Sequence, residues 1–194
     1  MTARATFEFG EFTLRPARPS IKDCVLAVQW TQADPRHSGT IPWTFWLEQG
    51  EHEDAYVLLD ALGPVLFFKA CLLEEEGEKR GHLFVQFPPE AGAGYVFERA
   101  GFGPALACLS DKEIRARVRA GLLAGVPWLA GICREAGIEE IFFDSDEERL
   151  IEFSTKRLGF TRDGRRLRMR LDRQAGAEGA AHVRPDPATD GTAG

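Results

Sequence analysis

Along the first part of the chain the apolar positions change period. In FEFGEFTLR, residues 7 to 15, Phe7, Phe9, Phe12 and Leu14 stand between polar neighbours, which predicts a strand bent at Gly10. Pro16 and Pro19 end it. From Ser20 the spacing becomes helical: Ser20 is placed to cap, Asp23 follows at the third position, and Cys24, Val25, Val28 and Trp30 recur along the segment. After breaks at Asp34-Pro35 and Ser38-Gly39, the run Ile41 to Leu47 (IPWTFWL) predicts a short helix with Pro42 in its first turn.

Three strand-like runs follow: AYVLLD from Ala55, VLFFKACLL from Val65 and HLFVQF from His82. Gly63-Pro64 and the acidic run EEEGEKRG part them, so the pattern predicts an antiparallel meander that Pro88-Pro89 stops. The Gly- and Ala-rich segment from Glu90 to Ser110 carries no clear period. Next, Ile114, Val118, Leu122, Val126, Leu129 and Cys133 recur every three or four residues, which predicts one long amphipathic helix over 111–136. Pro127 must kink it or open a second helix. Gly137 ends it.

IEEIFF, residues 138 to 143, predicts a strand, and Ser145 with Glu148 predicts a capping box for a helix that Gly159 closes. In the last predicted strand Leu167, Met169 and Leu171 alternate with Arg166, Arg168 and Arg170, giving one apolar and one cationic face. Residues 174–194 are low in complexity and bury nothing, so a single domain over 1–173 with a disordered tail is expected.

Composition narrows the function. The 194 residues are 44% hydrophobic and 28% charged, an ordinary globular balance. A net charge of −6 argues against a generic nucleic-acid binder, which needs a cationic footprint. The four cysteines (Cys24, Cys71, Cys108, Cys133) show no CxxC spacing, and His37, His52, His82 and His182 form no triad or metal pattern, so no metal site is expected. With no apolar run long enough to span a bilayer, a soluble, cytoplasmic protein is the expectation.

The order of predicted elements, and above all the window REAGIEEIFFDS followed by LIEFSTKRLGF (Arg134 to Phe160), resembles the GNAT superfamily of acyl-CoA-dependent N-acetyltransferases. The resemblance implies an α/β fold with a mixed, mostly antiparallel sheet and helices on both faces. It also implies acetyl-CoA or another acyl-CoA as donor and a small-molecule or peptide amine as acceptor. The family parts two central strands to admit the pantetheine arm. It holds the pyrophosphate on main-chain N–H groups where the long helix begins.

On this chain the resemblance makes Val85, Gln86 and Phe87 the strand contacts to the cofactor. Its pyrophosphate loop falls on Arg117 to Leu122, where Arg117 matches, Ala120 replaces a glycine, and Arg115, Arg119 and Gly121 complete the candidate site together with Lys112. A solvated helix face is the simpler account of those cations. Thr155 stands where the family often has the tyrosine that protonates the leaving thiolate, and Ser154 is its neighbour. Glu90 is a candidate base just beyond the strand. A relative that kept the fold but lost the cofactor loop, acting as a binding module, is the alternative.

The arginine strip could meet an acidic partner, nucleic acid or, as a homodimer, a second subunit. Ion pairing with acids such as Glu139 and Glu140 accounts for it more simply.

Overall fold

A computed structural model describes residues 5–34, 39–75, 77–88 and 109–171. Expectations about Glu90, Cys108 and the tail fall outside those residues.

The chain opens as a hairpin, β1 (Phe7–Phe9) and β2 (Phe12–Pro16), rather than as one bent strand. Gly10, at φ 59°, makes a turn that L side chains rarely adopt. The alternation survives because Phe7 faces Leu14 and Phe9 faces Phe12 across the hairpin, which puts all four on one face. Helix α1 (Ile21–Ala33) starts where Ser20 accepts the N–H of Asp23, as its sequence predicts. Its buried face is Asp23, Leu26, Ala27, Trp30 and Thr31, and not the stripe through Val25 and Val28. Asp23 is drawn inside by a two-pronged bond from Arg15 (2.6 and 2.7 Å) and by the N–H of Arg18. A 3₁₀ turn, Trp43–Trp46, follows Pro42 and sets Trp46 in the core.

The meander forms as expected, with β3 (Glu53–Asp60), β4 (Gly63–Glu75) and β5 (Glu78–Gln86) paired antiparallel. Helix α2 (Asp111–Glu135) is continuous through Pro127. Its start is fixed by a complete capping box between Ser110 and Glu113. Strand β6 (Glu140–Asp144) lies parallel to β5, and the short helix α3 (Glu148–Phe153) runs into one π turn, Ser154–Leu158. The predicted capping box of α3 does not form. Ser145 accepts the N–H of Glu147 instead, two residues on, so the helix begins without a side-chain cap. Gly159 ends the turn at φ 82°, and the segment after it is itself a strand, β7 (Thr161–Asp163), hairpinned to β8 (Arg166–Arg170).

The eight strands run β1-β2-β3-β4-β5-β6-β8-β7, all antiparallel except β5 with β6. This is the mixed, mostly antiparallel sheet that the resemblance implies. One face buries Leu26, Trp30, Trp46, Val57 and Phe67 beneath α1. The other buries Leu83, Ile141, Ile151 and Leu167 beneath α2 and α3, so helices cover both faces. Two arginines of the strip are paired: Arg168 bonds Glu140 at 2.7 Å and Asp163 at 3.2 Å, and Arg166 bonds Asp144 at 3.3 Å.

Candidate active site

The two central strands part company halfway along. Strand β5 meets β6 only at Arg80↔Glu140, Gly81↔Ile141 and His82↔Phe142. Beyond that point β5 continues on β4 as far as Phe67↔Gln86, while Phe143 and Asp144 continue on β8. The sheet therefore opens from Leu83 onward.

Main-chain parity tells which groups face the opening. In an antiparallel pair, alternate residues direct both polar main-chain groups to the same neighbour. Leu72 donates to the His52 carbonyl at 2.6 Å, so the even residues of β4 face β3 and its odd residues face β5. Phe84 and Gln86, opposite Lys69 and Phe67, are thus bound to β4. Leu83 and Val85 face the β6 side, consistent with the Glu139 N–H bonding the Lys79 carbonyl at 2.9 Å. Of the three expected cofactor contacts, Val85 presents its N–H to the gap. Gln86 instead buries its side chain, donating to Asp34 and to the Phe87 carbonyl, both at 3.1 Å. Phe87 lines the cavity wall.

That cavity measures about 510 Å³ and reaches from Gly121 and Leu122 of α2 across Leu83 and Val85 to Ser154. His82 and Phe84, from the opposite sheet face, also line it, so the hollow passes through the sheet at the gap. Ser154 is fully buried there, and its Oγ has no hydrogen-bond partner among the described residues. Thr155 does not line the cavity; its hydroxyl donates back to the carbonyls of Ile151 (2.9 Å) and Glu152 (3.1 Å). The segment is a π turn, in which the Gly159 N–H donates to the Ser154 carbonyl five residues back.

His82 is the residue that sequence reasoning passed over. It stacks on Phe142 (4.5 Å, 18°), packs against Phe84 at 4.1 Å, and lies 3.9 Å from Asp144. Burial holds its imidazole below the usual histidine range; Asp144 acts against this and Arg166 with it. Burial thus favours the neutral imidazole over the charged one. Nothing in its sequence neighbourhood signals this, because Phe142 and Asp144 arrive from 60 residues away.

The stretch matched to the phosphate loop, Arg117 to Leu122, is helical. Since α2 begins at Asp111, residues 117–122 sit within the helix, where main-chain N–H groups are bonded to the preceding turn. Arg117 grips Asp60 and also bonds the Gly63 carbonyl at 3.1 Å. Ala120 packs on the core. Gly121 allows close approach, since a Cβ there would lie 2.7 Å from Leu58 Cδ2. Arg115 and Arg119 are exposed. No cluster of three or more metal-ligating side chains occurs among the described residues.

No family model and no curated protein matches the sequence. Solved structures do. A mutant of the spermidine N-acetyltransferase of Vibrio cholerae aligns over 83% of this chain and 94% of its own, with TM-score 0.52 and 9% identity. A chimera built on the same enzyme gives TM-score 0.50 and 11% identity over 84% and 96%. The GNAT domain of an S. lividans protein aligns over 86% and 96%, with TM-score 0.47 and 11% identity. The parted β5 and β6, the crossover through α2 and the agreement in overall architecture make this chain a divergent protein of GNAT fold.

Proposed function

We propose that the protein is an acyl-CoA-dependent N-acyltransferase acting on an amine. The observation that supports this best is the opening of the sheet at Val85, whose N–H points into a gap bordered by the Ser154 hydroxyl, buried and without a partner among the described residues, and by the His82 imidazole. A thioester carbonyl seated there would accept the Val85 N–H. Bound acyl-CoA supplies the activated acyl carbon.

The chain's own groups then have separable tasks. Val85 would polarise the carbonyl of a bound thioester as the amine nitrogen attacks and the C–N bond forms. His82 would take the proton released by the nitrogen, directly or through one water. Ser154 Oγ would hydrogen-bond the sulfur as the C–S bond breaks, and the thiolate would leave and take its proton from water. Thr155, whose hydroxyl is already engaged, has no task in this scheme. Exposed Arg115 and Arg119 are the side chains offered to the cofactor phosphates.

The acceptor is a small-molecule or peptide amine. Because the fold-sharing enzymes named above are spermidine N-acetyltransferases, polyamines head the panel. The test is calorimetry with acetyl-CoA and longer acyl-CoAs, followed by a thiol-release assay with spermidine and with peptide N-termini. Binding and acceptor-dependent thiol release are expected. Absence of binding to every acyl-CoA would overturn the proposal.

A further inference from the structure

We propose that the acyl group is a chain of several carbons, lodged in an apolar hollow between α2 and the sheet. This deepens the acyltransferase reading and rests on it. A second hollow of about 260 Å³ lies under the C-terminal half of α2, and it and the cavity at the gap share Leu14, Phe68, Leu83, Trp128 and Leu129 in their walls. Ala70 and Gly81 line the second hollow from the sheet and Ile132 and Cys133 from the helix, while Glu51, His52, Glu53 and Asp54 border it as well.

An acetyl group would leave the second hollow's apolar lining in water. An acetyl methyl is about as large as a water molecule, whose share of liquid volume is about 30 Å³. Both hollows open to solvent, and a guest with an apolar chain would take their apolar lining out of water. The wall chemistry agrees: burial pushes the Cys133 thiol up to about 11, so that side chain stays uncharged.

The roof also accounts for the space. Near its start α2 is tied down by the Arg117–Asp60 pair and by the close approach at Gly121. One turn further on, Gly125 again has no side chain, and an added Cβ there would meet only the Phe9 ring, at 3.7 Å. A flexible, unbranched chain entering beside Ser154 fits such a hollow.

The test titrates the full chain with CoA and with acetyl-, butanoyl-, hexanoyl- and octanoyl-CoA by calorimetry. Affinity is expected to rise about fourfold for each methylene that becomes buried, and to level off when the hollow is full. If acetyl-CoA binds as tightly as octanoyl-CoA or more tightly, the proposal fails and the acyltransferase reading stands. If no CoA thioester binds, that reading fails and takes this one with it. The variant Gly125→Leu narrows the hollow and is expected to move the tightest-binding chain to a shorter length. An unchanged preference for the longest chain in the folded variant would overturn the proposal, and the native series decides if the variant does not fold.

Discussion

Arg117 holds Asp60 through two hydrogen bonds of 2.6 Å and thereby fastens the second turn of α2 to the β3–β4 corner. Burial alone would raise the Asp60 pKa, but Arg117 and the N–H groups of Leu62 and Gly63 hold it below the usual carboxylate range. Arg117→Ala should destabilise the fold by about 2 kcal/mol, the usual worth of hydrogen bonds to a charged group. The pair's stabilisation is present above the unfolded carboxylate value near 4 and is lost as pH falls through the lower folded value. Urea unfolding at pH 7 and pH 3 checks this, and the difference between native and variant should shrink at pH 3. Unchanged stability with weakened CoA binding would instead make Arg117 a phosphate ligand.

Ser154 and Thr155 separate cleanly by substitution. Ser154→Ala removes a buried hydroxyl that has no partner among the described residues, so stability should hold or rise by up to about 1 kcal/mol. The turnover rate should drop at least about tenfold, given the typical share of such catalysis. Thr155→Val should leave turnover within about twofold, because that hydroxyl serves only the preceding turn. Thermal melts and initial rates distinguish the two. A loss of rate on altering Thr155 alone would return the role to it.

His82 sets a pH dependence. Its folded pKa is depressed, so the unfolded chain binds the extra proton first. Stability from this group is fully present above about pH 6.5 and declines as pH falls toward the lower folded value. The acid limb of the rate profile should accordingly lie below pH 6.5, and His82→Gln should lower the rate and remove that limb. A limb that persists in the variant would assign the base elsewhere.

Lys69 tests a different kind of buried charge. Its ammonium is fully buried, bonded to the Phe45 carbonyl at 3.0 Å and paired with Glu53 at 2.9 Å and Glu48 at 3.3 Å, over the Phe45 ring. Lys69→Met keeps the volume without the desolvated charge, while both glutamates can turn to water, so stability should stay within about 1 kcal/mol. Lys69→Ala leaves a void as well and should cost about 3 kcal/mol. Guanidinium unfolding of both variants would settle the order, and a methionine variant as damaged as the alanine one would show that the charge itself holds the 3₁₀ turn.

What could be read before folding was whatever depends on neighbours in the chain. Ser20 and Gly159 act where the sequence places them, since a cap hydroxyl and a left-handed glycine answer to backbone a few residues away. The meander and the stripe on α2 are equally local, because period alone selects strand or helix. The contrasts are instructive. Phe7 to Leu14 reads as one strand or as two, because the hairpin preserves the alternation. The capping box at Ser145 fails because the chain leaving β6 lets Ser145 bond Glu147 first. Arg117 to Leu122, the stretch matched to a phosphate loop, falls inside α2, since the apolar period does not fix where the helix begins.

The site itself was decided by the tertiary structure. Amino-acid order determined the element types, the apolar faces and the GNAT-like succession. Only the folded sheet determined that β5 and β6 separate after His82, that the π turn presents Ser154 in place of Thr155, and that Phe142 and Asp144 surround His82. Each of those facts is a relation between segments far apart in the chain, and register, burial and a histidine's proton affinity depend on such neighbours, which no local pattern encodes.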